Sequence, residues 1–119
     1  MKKEVLGLIL LSIIIGSIAQ ILLKTGMNNY GKITPGIDMI LAVFHPLVFT
    51  GLLMYFISAT FWIIVLSKVE VSFAYPFGAI NYVIVGFLSW LLLNESLNSL
   101  RLLGIGIIIS GVYIISKSK

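Results

Sequence analysis

Ser12, Gly16, Gln20 and Lys24 recur every four residues near the start of the chain. That spacing puts a hydroxyl, a gap, an amide and an ammonium along one face of a helix. The rest of the segment is mostly Ile and Leu. These polar groups perform no covalent chemistry; they hydrogen-bond, and hydrocarbon makes an unpaired one costly. Two readings stay open. The stripe lets a neighbouring helix pack closely against Gly16, or it lines a polar cavity with Lys24 at one end. Lys24 can instead reach the headgroup region on its flexible stem.

Three further constellations carry the same kind of chemistry. Gly51, Tyr55, Ser58 and Trp62 fall on one helical face. Tyr and Trp rings pack well, and their polar tips seek partners. The run Phe73-Ala74-Tyr75-Pro76-Phe77-Gly78-Ala79-Ile80-Asn81 combines a helix-bending proline with a deeply placed amide. Pro76 removes a backbone donor, Gly78 adds local freedom, and the pair is expected to act as a hinge. Asn81 either bonds a neighbouring helix or lines a route, as amides on broken transporter helices do. Gly104 and Gly111 lie about two turns apart, with Gly106 and Ser110 between them. This face is expected to be a dimer seam.

Other chemistries are not expected. Glu4, Asp38, Glu70 and Glu95 all lie at segment ends, and no carboxylate sits mid-span to be shared between a proton and a cation. Catalytic residues are therefore not assigned: the chain holds no paired carboxylates and no nucleophile–base set. It lacks cysteine, and the single His45 cannot build a metal site alone. No metal or cofactor is expected. His45-Pro46 reads as a helix start.

The elements that must position these groups are membrane helices. Of 119 residues, 60% are hydrophobic and 10% charged, and the mean hydropathy is +1.15. A soluble domain of this size could not hide so much apolar surface. A spanning helix needs roughly 20 apolar residues, and four such runs are read at about 5–25, 47–67, 71–93 and 99–117, as one four-helix domain over 1–119. The first run continues past a possible signal-cleavage site at Ser17-Ile18-Ala19, so it reads as a membrane helix. Residues 37–44 form a short apolar stretch, either an interfacial helix or an early start to the second span.

The net charge of +4 comes from scattered basic residues at segment ends. They form no stripe that would grip nucleic acid, and they suit headgroup anchoring instead. Four spans put both termini on one side. Lys2, Lys3, Lys68, Lys117 and Lys119 share that side, against Lys24, Lys32 and Arg101 on the other. The positive-inside rule thus favours cytoplasmic termini by a small margin.

The ordered set Gly16-Ser17-Ile18-Ala19-Gln20 and Lys24, then Trp62 through Val65-Leu66, Val69, Val71, Ala74-Tyr75-Pro76, Asn81, Val83, Asn94-Glu95 and Gly104 through Ser110-Gly111-Val112 covers nearly the whole chain. In it the chain resembles the drug/metabolite transporter superfamily, in its four-helix small multidrug resistance-like form. The closer likeness is to subunits of the undecaprenyl-phosphate aminoarabinose flippase and their EamA-like relatives. The resemblance implies an all-α protomer working as a dimer, with Gly104 and Gly111 at the seam. The multidrug branch carries a glutamate mid-way along its first helix; this sequence has small, apolar or amide residues there.

The resemblance therefore implies a flippase for a polyprenyl-phosphate-linked sugar in the plasma (inner) membrane. Lys24 and Arg101 are then candidates to pair with phosphate, and Gln20, Tyr75 and Asn81 with sugar hydroxyls; Ser12 and Trp62 complete the expected substrate-binding set. The partners expected are membrane lipids, the lipid-linked saccharide, and a second copy (antiparallel arrangement included) or a related subunit. A small multidrug or metabolite exporter and a non-transporting scaffold subunit are the alternatives. A polar groove open sideways to lipid favours the flippase, and a sealed chamber holding a carboxylate favours the exporter.

Overall fold

The computed structural model describes residues 3–118. Lys2 and Lys119, which contribute to the charge bias between the two sides, lie outside the described residues. Among the described residues every regular element is helical: α1 (Lys3–Tyr30), α2 (Ile37–Val43), α3 (Pro46–Leu66), α4 (Val71–Ala74), a 3₁₀ segment (Tyr75–Ala79), α5 (Ile80–Leu92) and α6 (Ser99–Ser116). Four units are long and apolar enough to cross a bilayer: α1, α3, the composite span Val71–Leu93, and α6. The chain is a multi-pass, all-α membrane protein.

Local chemistry sets the helix ends. Gly31 takes a positive φ of 105° after α1, and its N–H donates to the Met27 carbonyl. Pro46 occupies the first turn of α3, where its missing N–H costs nothing. His45 caps that helix, its Nδ1 accepting from the Leu47 N–H at 3.2 Å. Asn94, at φ 56°, closes α5, and Asn98 caps α6 by accepting from the Arg101 N–H at 2.9 Å. The stretch at residues 37–44 resolves as its own short helix, α2, rather than an early turn of α3. Most of its apolar residues are exposed.

The core forms around α1. Val5, Ile9, Ser12, Ile13, Gly16, Ser17, Ala19 and Gly26 are its buried face, while Leu6, Leu10, Leu11, Ile14 and Ile18 point outward. Lipid is as apolar as leucine, so burial alone gives these helices little reason to associate; close packing and hydrogen bonds must do it. α1 and α3 run antiparallel and approach through small residues. A Cβ on Gly26 would stand 2.6 Å from Val48 Cγ2 and 3.1 Å from the Val48 nitrogen. A Cβ on Gly51 would stand 3.1 Å from the Ala19 carbonyl oxygen. Farther along, Val5, Ile9 and Ile13 pack with Val65, Ala74, Phe77 and Val112.

Pro76 prevents the third span from continuing as a regular α-helix, because it has no N–H to donate back along the helix. The chain tightens instead into the 3₁₀ segment, a form common where a helix bends. Phe77 is driven into the core there, its ring 5.3 Å from that of Phe73. α6 leans on the 3₁₀ segment and α5, and most of its surface stays open.

The close approach of α1 to α3 makes a stability prediction. Gly26→Ala is expected to overpack the crossing and cost about 1–3 kcal/mol. Gly7→Ala, whose added Cβ meets nothing within 4 Å, is expected to be neutral or slightly stabilising through helix propensity. Thermal unfolding of both variants in one detergent checks the contrast.

Candidate functional site

Beyond its bend the third span packs on α1 but stays clear of α3, and a cleft of about 880 Å³ opens between the three. α1 supplies Ser12, Ile13, Gly16 and Gln20; α3 supplies Tyr55, Ser58, Ala59 and Trp62. The bent span supplies Tyr75, Pro76, Gly78 and Ala79, then Asn81, Tyr82, Val85 and Gly86. Ser12 and Gly16 are buried at its base, whereas Tyr55, Tyr75 and Tyr82 are exposed at its mouth. All these residues lie within the candidate membrane spans. Among the described residues that line the cleft, none is charged. Its chemistry is neutral: two amides, an indole N–H, phenol and serine hydroxyls, and the faces of four aromatic rings.

At the base, two serines hold α1 against α3. Ser12 Oγ donates to the Ser58 carbonyl at 3.0 Å, and Ser58 Oγ donates to the Ser12 carbonyl at 2.7 Å. Each hydroxyl spends its one proton on the opposite helix. A Cβ on Gly16 would press on Ser58 Oγ at 3.1 Å, so glycine keeps this pair in reach. A second link joins α1 to α5: Ser17 Oγ lies 2.7 Å from the Ile13 carbonyl oxygen and 2.6 Å from Asn81 Oδ1. Among the described residues no buried side-chain nitrogen or oxygen lacks a partner.

Of the residues expected to bind substrate, Ser12, Gln20, Trp62, Tyr75 and Asn81 line this one cleft, and Pro76 and Gly78, expected as a hinge, line it too. The Ser12 hydroxyl is committed to Ser58, which makes it part of the frame. Lys24 and Arg101 do not line the cleft. Lys24 is exposed beyond Gln20 towards the end of α1. Arg101 is exposed as well, and its guanidinium donates to the Ser96 carbonyl at 2.7 Å, bracing the turn before α6. Gly104, Ser110 and Gly111 lie away from the cleft on α6, and an added Cβ at either glycine would meet nothing within 4 Å.

The model of the EamA-like transporter family matches residues 2–117. The chain belongs to that family. This EamA-like chain is 33% identical, over the full length of both chains, to the probable 4-amino-4-deoxy-L-arabinose-phosphoundecaprenol flippase subunit ArnF of Photorhabdus laumondii. It is 36% identical to the protein of the same name from Erwinia tasmaniensis, over 87% of each chain. The probable ArnE subunit of that flippase from Salmonella paratyphi B is 30% identical over 62% of this chain and 68% of its own length. No solved structure is a significant match.

Among the polar residues at this cleft, Tyr82 and Ser17 belong to none of the helical faces read from the sequence. Tyr82 stands seven residues after Tyr75, so the spacing Tyr75, Gly78, Tyr82, Gly86 marks one helical face and was available as a signal. Ser17 carried no such signal, because its role depends on Asn81 being opposite it. The serine frame predicts coupled energetics. In a double-mutant cycle with Ser12→Ala and Ser58→Ala, a coupling of about 1 kcal/mol is expected, measured by denaturant unfolding in mixed micelles.

Proposed function

We propose that this chain is a subunit of a flippase that carries a polyprenyl-phosphate-linked sugar across the plasma membrane. The observation that carries this reading is the open, uncharged cleft within the spans, lined by amides, phenols and an indole. A polyhydroxylated headgroup can exchange its water for those groups while its isoprenoid tail stays among lipid chains. Pockets of this size and mixed lining are typical ligand sites. The relatives described above are named as flippase subunits for such a lipid, which supports the same substrate class here. A proton-coupled exporter of cations would need an acid in the cleft, and the four acidic residues stand at segment ends instead.

In this reading Gln20, Trp62, Tyr75, Tyr82 and Asn81 hold the sugar, and the 3₁₀ segment around Pro76 and Gly78 lets the mouth change shape. Lys24 and Arg101 lie at segment ends outside the cleft, so they meet the phosphate at headgroup level as it arrives or departs. The termini face the cytoplasm. The open face of α6 around Gly104, Ser110 and Gly111 receives a second protomer, either another copy or a related subunit, because four helices are too few to enclose a route and alternate its access.

Reconstituted vesicles carrying a polyprenyl-phosphate-linked pentose test this. Exposure of the sugar on the far leaflet, read with a membrane-impermeant reagent, is expected to rise with the wild-type protein and its partner protomer. Gln20→Leu and Tyr75→Ala are expected to cut that rate about tenfold, the effect of leaving one or two polar headgroup contacts unmade. Lys24→Ala with Arg101→Ala is expected to weaken it and flatten its salt dependence, because the charges that salt screens are gone. No wild-type activity with either a second copy or a related subunit overturns the reading. Because the chain lacks cysteine, Ser110→Cys gives a clean cross-linking test of the α6 seam, with a covalent dimer as the expected product.

A further inference from the structure

The contact between Ser17 and Asn81 contains a proton-counting problem that decides what the cleft recognises. Ser17 is fully buried behind the cleft wall. Its Oγ sits 2.7 Å from one carbonyl oxygen, that of Ile13, and 2.6 Å from a second, Asn81 Oδ1. Both separations are those of true hydrogen bonds, yet a hydroxyl carries a single proton and cannot donate to both. The serine pair at Ser12 and Ser58 needs no rearrangement: its two protons go to the opposite carbonyls, and the two Oγ atoms, 3.2 Å apart, stand side by side.

The conflict vanishes if the Asn81 amide is turned by half a revolution. The two ends of a carboxamide have nearly the same shape, so hydrogen-bond arithmetic decides between them. Ser17 then donates to the Ile13 carbonyl, the usual intrahelical bond of a serine to the residue four before it. Asn81 Nδ2 donates to Ser17 Oγ, and two protons serve two contacts. We infer that Ser17 fixes the Asn81 amide with its carbonyl oxygen towards the cleft, so that Asn81 selects a hydrogen-bond donor on the transported headgroup.

This rests on the flippase reading and sharpens it. An acceptor oxygen half-way along the span welcomes a sugar hydroxyl or an ammonium and repels a phosphate, which has only acceptors to offer. Asn81 therefore reads the sugar, and the phosphate is handled elsewhere. Ser17 touches no substrate; it is a positioning residue.

Two measurements test the inference. In a Trp90→Phe background Trp62 alone reports on the cleft. Its fluorescence is titrated with a short-chain prenyl phosphate carrying a pentose, and with the same prenyl phosphate lacking the sugar. The sugar-bearing lipid is expected to bind about tenfold more tightly. Asn81→Leu should abolish that preference and leave the bare lipid unchanged; Ser17→Ala should erode it several-fold, and Ser17→Thr should restore it. Equal losses for both lipids in Asn81→Leu, or no preference in the wild type, overturn the inference alone. Binding of neither lipid by the wild-type chain with its partner protomer overturns the flippase reading and this inference with it. The second measurement needs no ligand. The Asn81 side-chain amide protons of the 15N-asparagine-labelled protein are expected to exchange with solvent several-fold faster in Ser17→Ala than in wild type. An unchanged rate shows that Nδ2 does not bond Ser17 and overturns the inference.

Discussion

α1 and α3 can come together in lipid only because their backbones are allowed to touch. Between helices in a bilayer there is no water to expel, so a leucine gains little by turning from acyl chain to neighbour. Contact has to come from dispersion at short range and from hydrogen bonds that lipid cannot supply. Gly26 against Val48 and Gly51 against Ala19 provide the first, and the reciprocal bonds of Ser12 and Ser58 provide the second. Everything else in the fold is arranged on this antiparallel pair.

The third span completes the core without closing it. Its first half packs through Ala74 and Phe77 against Val5, Ile9, Ile13 and Val65. Its second half is directed by the 3₁₀ segment that Pro76 enforces. Packed on one side and bent on the other, it leaves a gap rather than a third tight seam. α5 still packs on α1, and Ser17 and Asn81 bond the two helices within that contact, which limits how far the gap spreads. The same residues that would be packing faults in a sealed bundle, namely a proline, an amide and three exposed tyrosines, become the wall of a cleft.

A charge-free cleft has a physical consequence. Inside a bilayer an unpaired charge is expensive, whereas neutral donors and acceptors can be satisfied by one another or by a polar guest. The cleft of this EamA-like chain can therefore stand empty of guest and still be tolerable, because its deeply buried hydroxyls already have partners. Polar groups at the mouth, such as the phenols of Tyr75 and Tyr82, stay available for a guest or for a second protomer.

Composition and hydrophobic run length determined by themselves that the chain is a bundle of four membrane helices, because those properties follow from how lipid solvates a backbone. Helical spacing also marked the faces carrying Ser12 and Gln20, Tyr55 and Trp62, and Tyr75 and Asn81, since position along a helix dictates direction around it. Periodicity cannot say what stands opposite a given face. Only the tertiary structure decided that Ser12 is spent on Ser58, that Ser17 lies behind Asn81, and that Tyr82 joins the mouth. It alone placed Lys24 and Arg101 outside the cleft: the stripe through Ser12, Gly16 and Gln20 leads to Lys24, but the walls that make it a cavity do not extend that far. The reason is that a cavity is a property of three helices at once. Its extent depends on where backbones approach and where a proline turns one of them away, and neither can be read from one helix alone.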